Sequence, residues 1–171
     1  MIHLICGPIG AGKTTIAHKI SKQHKAIRFS EDEWLDKLFV PDAPNGLLDE
    51  PMHIIGAWAG ERYQRCRNQI WDMCAELLEL DIDIVLDGAS ANKEQRDFIR
   101  KKASDTNVKF QLYYVTLDAT VRKERVFQRN EAQGKTYSLE VTPDMFTHAE
   151  SFFVPPSKEE LIDAIIIDNS I

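Results

Sequence analysis

A fold of the α/β class, with a parallel sheet covered by helices on both faces, is predicted by three features of the sequence. Five short apolar runs alternate with stretches of helical periodicity along the chain. The runs are rich in Ile, Val and Leu, as strands buried on both faces require. The first run passes directly into a glycine-rich loop followed by a helix pattern. With 171 residues, the chain is predicted to form one domain, 1–171.

The elements follow in order. Ile2 to Cys6 is the first apolar run and ends at a glycine. Thr14 to Gln23 predicts a helix with Ile16, Ala17 and Ile20 on one side. Ala26 to Ser30 is the second strand, and Glu31 to Phe39 a helix that groups Trp34, Leu35 and Leu38. Pro41, Pro44, Asn45, Gly46 and Pro51 predict a long irregular loop. Tyr63, Cys66, Ile70, Met73, Cys74 and Leu77 recur every three or four residues, marking an amphipathic helix that runs to Leu80. Gly56 and Gly60 leave its start open.

Ile82 to Leu86 is the third strand, ending at Asp87-Gly88, and Lys93 to Ala103 suits a helix. Val108 to Leu117 contains the fourth strand. Asp118 sits where an N-cap belongs, ahead of a basic helix reaching about Asn130. Thr142-Pro143 opens a further helix, because proline fits the first helical position. Ala164 to Asp168 is the last strand.

Composition narrows the functional classes. A net charge of −6 and a pI near 5.4 disfavour nucleic acid and a membrane surface as partners, since both demand a cationic footprint. No run of about 18 apolar residues is present, which predicts no transmembrane helix. The opening residues Met1 to Cys6 carry neither a basic leader nor a cleavage site. Cys6, Cys66 and Cys74 form no Cys-x-x-Cys pair and read as reduced core thiols of a cytoplasmic protein. His3, His18, His24, His53 and His148 lack metal-ligand spacing in sequence, and Trp34, Trp58 and Trp71 read as core.

Gly7-Pro8-Ile9-Gly10-Ala11-Gly12-Lys13-Thr14 satisfies the Walker A pattern G-x-x-x-x-G-K-[ST], in the required strand–loop–helix context. Glycines let backbone N–H groups turn around phosphate oxygens, and the following helix adds its positive end. Lys13 is expected to reach the β- and γ-phosphates of ATP, and the Thr14 hydroxyl to hold Mg²⁺, with Thr15 completing the nucleotide-binding set. The fold is therefore a P-loop NTPase. The guanine-reading Asn-Lys-x-Asp is missing, because Asn92-Lys93 continues as Glu94-Gln95. Small size favours a kinase of the nucleoside-monophosphate-kinase type over an oligomeric ATPase.

Together with this loop, Phe29-Ser30-Glu31-Asp32-Glu33, Val85-Leu86-Asp87-Gly88 and the arginine-rich stretch Val121 to Asn130 resemble the zeta-toxin/polynucleotide-kinase-like P-loop kinases, which include chloramphenicol phosphotransferase and many small AAA-type kinases. The resemblance implies a five-stranded parallel sheet, ATP with Mg²⁺, and transfer of the γ-phosphate to a hydroxyl. It also implies that Asp32, after the second strand, faces the acceptor hydroxyl, with Glu31 and Glu33 as substitutes if the register differs. Asp87 stands at a strand's carboxyl end, where ligands gather in open α/β sheets. Binding Mg²⁺ and contacting the acceptor are both open to it. Arg96 matches the family's arginine after this strand, and a structural role and a substrate contact are both open to it.

Arg122, Arg125 and Arg129 are spaced three and four apart, so one helical face can carry all three. Guanidinium groups donate bidentate hydrogen bonds to phosphate oxygens. This stretch, about 121–135, is expected to be a lid that closes over ATP, with Arg125 and Arg129 catalytic, Arg122 on the nucleotide and Gly134 as hinge. Phe153-Val154-Pro155-Pro156 resembles the family's Phe-Glu-Pro-Pro tail, with valine in place of glutamate. The expected activity is phosphorylation of a small-molecule hydroxyl. A polynucleotide 5′-hydroxyl kinase is disfavoured because Leu35 stands where that group carries an arginine. An ATP-gated binding module is the non-enzymatic alternative. Acceptor identity and oligomeric state are left open.

Overall fold

The computed structural model of the chain describes residues 1–88, 90–132 and 140–170. The elements run β1 (Ile2–Cys6), α1 (Lys13–His24), β2 (Ile27–Ser30), α2 (Glu31–Leu38), α3 (Met52–Glu79), β3 (Ile84–Asp87), α4 (Lys93–Asp105), β4 (Phe110–Thr116), α5 (Ala119–Ala132), α6 (Pro143–Phe152), α7 (Lys158–Leu161) and β5 (Ile165–Asp168). The five strands form one sheet in the order β2-β3-β1-β4-β5, with every neighbouring pair parallel. The predicted fold class is the observed one.

Helices cover both faces. On one, Ile70 and Cys74 of α3 and Ile99 and Ala103 of α4 pack on Ile2, Leu4, Cys6, Ile84, Leu86 and Leu112. On the other, Ala17 and Ile20 of α1 pack on Ile5, Val85, Tyr113 and Val115. β1 is buried along its whole length, so its alternation of faces leaves no polar side. All three cysteines are free and buried, as expected. Among the described residues, no helix is long and apolar enough to cross a membrane.

Local chemistry accounts for several boundaries. The Ser30 side chain accepts from the Glu33 N–H and caps α2, the Asn92 side chain accepts from Gln95 and caps α4, and Thr142 does the same for α6 with Pro143 at its first position. The Asp118 carboxylate accepts from the N–H groups of Thr120 and Val121 at the start of α5.

The structure fills in or revises several sequence readings. The long helix begins at Met52 and contains Gly56 and Gly60 in its interior. Neither glycine breaks it, because its length anchors Ile55, Cys66, Ile70 and Cys74 in the interior. Within the predicted loop, Val40–Asp42 and Leu47–Asp49 form 3₁₀ turns. Leu38 is 56% exposed rather than grouped with Leu35, since α2 is short and only one side meets α3. The apolar run of β5 is largely exposed because it is an edge strand.

Arg96 is fully buried, and all five of its N–H donors are used inside the protein. Nε and Nη2 donate to the two Glu160 oxygens at 2.7 and 3.0 Å, and the remaining bonds go to the carbonyls of Ser90, Val154 and Pro155. Of the two roles open to Arg96, the structural one is the one observed, and the substrate contact expected of it is corrected, since no donor is left for one. Arg96 instead fastens α4 to the Val154-Pro155 segment and α7.

Two outcomes are expected. A Cβ at position 56 or 60 would meet nothing within 4 Å, so Gly56→Ala and Gly60→Ala each stabilise by about 0.5–1 kcal/mol in urea unfolding. Glu160→Gln destabilises by roughly 3–5 kcal/mol, because it strands a buried guanidinium. Arg96 holds the Glu160 carboxyl down at about 2, below its ordinary 4.5. The unfolded chain therefore takes up the proton first, and this contribution is complete above about pH 4.5 and lost as pH falls through about 2. Acid titration of stability should lose this component in the variant.

Candidate nucleotide and phosphotransfer site

The glycine-rich loop leaves the carboxyl end of β1, which lies between β3 and β4. This is where the strand order reverses and where open α/β sheets leave a crevice. Gly7 passes so close to β4 that a Cβ would stand 2.4 Å from the Val115 carbonyl oxygen. Gly10 adopts φ +77°, and its Cβ would meet the Arg122 carbonyl oxygen at 2.7 Å and a Val126 methyl at 2.9 Å. The loop therefore needs glycine for approach and for conformation. α1 begins without a side-chain cap and with no acidic residue in its first turn, as an anion-binding helix end requires. Thr15 lies exposed in that first turn.

Two residues brace the loop from outside. Asn169, just beyond β5, donates through Nδ2 to the Ala11 carbonyl at 2.8 Å, while its own N–H bonds Thr116. Arg122 of α5 donates to the carbonyl oxygens of Ile9 and Leu117 at 3.0 Å each, and forms a bidentate pair with Glu150 of α6. At 6% exposure, Arg122 is a positioning residue beneath the loop, which corrects its expected place on an open lid face. Arg125 is exposed and donates to the Asn169 carbonyl, and Arg129 is half-buried. The three arginines thus do not share one open face, because α5 packs its Arg122 side against the loop. Gly134 and Lys135 lie outside the described residues.

At the loop's mouth, Lys13 Nζ donates to the Pro8 carbonyl at 3.0 Å. Burial pushes its pKa down, and the carboxylates of Asp87 and Asp32 oppose that shift. Asp87, 4% exposed at the end of β3, accepts from Arg28 Nη1 at 2.8 Å. Burial raises its carboxyl above the ordinary range, countered by Lys13, Arg28 and a hydrogen bond from the Thr14 side chain. The Thr14 hydroxyl and the Asp87 carboxylate thus face each other as hard oxygen donors, the set that Mg²⁺ prefers. These residues fit the ion.

Beside them, α2 presents three consecutive acids. Glu31 is held by Arg67 of α3 through two bonds of 2.9 Å, and burial raises its carboxyl despite that partner. Glu33 is paired with Arg28. Asp32 instead takes a hydrogen bond of 2.6 Å from the Tyr63 hydroxyl, whose own pKa rises well above normal through burial and this carboxylate. Two of the three acids are thus committed to guanidinium groups, and Asp32 is left facing outward. A narrow cleft lined by Phe29, Glu31, Arg67, Trp71 and Asp87 adjoins it.

The structure brings together Lys13, Thr14, Asp32 and Asp87, and sets Arg96 apart from them. Arg28, Tyr63, Arg67, Glu150 and Asn169 were not singled out from the sequence. The sequence marks Tyr63 only as part of an apolar helix face, and the others belong to no motif.

The chain belongs to the AAA_33 family of AAA domains, whose model matches residues 2–151. None of the curated proteins matches it in sequence. Among solved structures it is similar to a candidate kinase from Chloroflexus aurantiacus, at TM-score 0.69 and 14% identity over 99% of this chain and 84% of that one. It is similar to a gluconokinase from Sinorhizobium meliloti, at TM-score 0.57 and 14% identity over 97% and 81%. The Mycobacterium tuberculosis APS kinase, solved with AMPPNP and APS, aligns at TM-score 0.60 and 17% identity over 99% and 88%. The fold is that of P-loop kinases.

Gly10→Ala is expected to cost about 1–3 kcal/mol of stability through overpacking. It should weaken ATP binding about tenfold or more, measured by calorimetry. Unchanged affinity would show that the loop does not depend on this close approach.

Proposed function

We propose that the chain is an ATP- and Mg²⁺-dependent phosphotransferase that moves the γ-phosphoryl group to a hydroxyl of a small molecule. The observation that carries this reading is the outward-facing Asp32 carboxylate, oriented by Tyr63 and within the electrostatic reach of Lys13. Gly7, Pro8, Ile9, Gly10, Ala11, Gly12, Lys13, Thr14 and Thr15 form the nucleotide cradle. Thr14 would hold Mg²⁺ with Asp87 in support, and the chemistry supplied there would be charge compensation on the phosphate oxygens.

Asp32 accepts the proton of the acceptor hydroxyl as its oxygen bonds to the γ-phosphorus. The bond from that phosphorus to the β–γ bridging oxygen breaks, and ADP departs. Lys13 stays beside the phosphates throughout, and Arg125 and Arg129 of the lid segment neutralise the moving charge. Because the transition state is loose, Asp32 acts more by aiming the hydroxyl than by basicity. The acceptor side carries Glu31, Asp32, Glu33 and Asp87, a poor surface for the polyanion that a polynucleotide kinase must hold.

Asp32→Asn should lower acceptor-dependent ADP release about 10²–10⁴-fold while ATP affinity by calorimetry is unchanged. Lys13→Met should remove both. A metabolite screen in which no hydroxyl compound stimulates turnover, with Asp32→Asn indistinguishable from wild type, would return the chain to the ATP-gated binding module.

A further inference from the structure

The end of the sheet opposite the phosphate loop carries a second polar cluster. His3 lies near the start of β1, Asp83 immediately precedes β3, and His24 is the last residue of α1. Each offers one ligand atom, and the three atoms lie within 4.8 Å of one another. His3 is fully buried. Its Nδ1 lies 3.2 Å from the Tyr113 hydroxyl, whereas Nε2 has no hydrogen-bond partner and points to Asp83 Oδ2 at 3.7 Å. A fully buried ring nitrogen whose facing carboxylate oxygen stands beyond ordinary hydrogen-bond distance is uncommon in folded proteins.

Further polar groups surround His3. The His24 ring stands 4.4 Å from the His3 ring, centroid to centroid, tilted by 46°. The Met1 amine donates to Asp83 Oδ1 at 2.6 Å, which holds one oxygen of the carboxylate while Oδ2 faces His3. Asp83 is 30% exposed and His24 is half-buried, so the cluster is open to solvent on one side. Two imidazole nitrogens and one carboxylate oxygen are a donor set for Zn²⁺, with the fourth tetrahedral position left to water. Ligand atoms about 2.0–2.1 Å from a tetrahedral ion stand roughly 3.3 Å apart. The His3–Asp83 pair at 3.7 Å thus needs a few tenths of an ångström of closure, and the trio, all within 4.8 Å, closes by side-chain rotation of the half-buried His24 and Asp83. The Tyr113 hydroxyl on Nδ1 supplies the outer contact that orients a ligating histidine.

We propose that His3, His24 and Asp83 bind a transition-metal dication of the zinc class, clamping the C-terminal end of α1 to the first and third strands. The site is separate from the nucleotide cradle, by about 13 Å of β1, and does not depend on the phosphotransfer reading.

The full chain, kept in excess Mg²⁺, is titrated with Zn²⁺ against a chromophoric chelator and with Co²⁺ as an optical probe. Binding at one ion per chain is expected, with the d–d bands of tetrahedral Co²⁺ and a rise in Tm with Zn²⁺ concentration. His3 packs inside the sheet, so the partly exposed ligands carry the test. His24→Gln and Asp83→Asn, each checked for native circular dichroism, should weaken Zn²⁺ at least about 100-fold and abolish the Tm rise. No stoichiometric binding below about 10 μM overturns the proposal. So does Zn²⁺ binding that both substitutions leave intact.

Discussion

The carboxylate of Asp87 is the constraint around which the site is organised. A charge almost removed from water at the end of β3 is tolerated only with partners: Arg28 in contact, a hydrogen bond from the Thr14 side chain, and the field of Lys13. Arg28 comes from β2, the adjacent strand, and its register opposite Val85 brings the guanidinium to Asp87. The same guanidinium holds Glu33, in the first turn of α2. The buried pair therefore settles where that helix begins and where Asp32, one residue earlier, projects. Three acids in a first turn also suit the positive end of the α2 dipole.

The phosphate loop has a different support. Its glycines are pressed against β4 and α5, and its outward carbonyls are gripped by Arg122 and Asn169. With those carbonyls occupied, the loop backbone is fixed from its outer side. Arg122 shows that a guanidinium suited to phosphate can instead serve the backbone that does the binding. The Glu150 carboxylate from α6 decides between the two, since it engages Arg122 from below.

Kinases that share this fold at 14–17% identity act on chemically different acceptors. The fold accordingly specifies where the glycine-rich loop sits, and the residues on α2 and α3 specify what stands next to it. In this chain those residues are Asp32 with Tyr63, and Glu31 with Arg67, pairs that cross between α2 and α3.

The loop Gly7 to Thr14, the strand that ends at Asp87 and the five apolar runs were legible in the sequence, because each is encoded by neighbouring residues under a local rule. Backbone freedom, period and capping chemistry act over a few positions, and the structure keeps them. The start of α3, the edge position of β5 and the roles of Arg96 and Arg122 were not legible. Those depend on which groups meet across 28 to 113 residues of chain. Arg96 and Arg122 carry the same charge and both stand on basic helices, yet Glu160 takes one and Glu150 the other. A charged group's function is set by the partner that removes it from water, and only the packed structure chooses that partner.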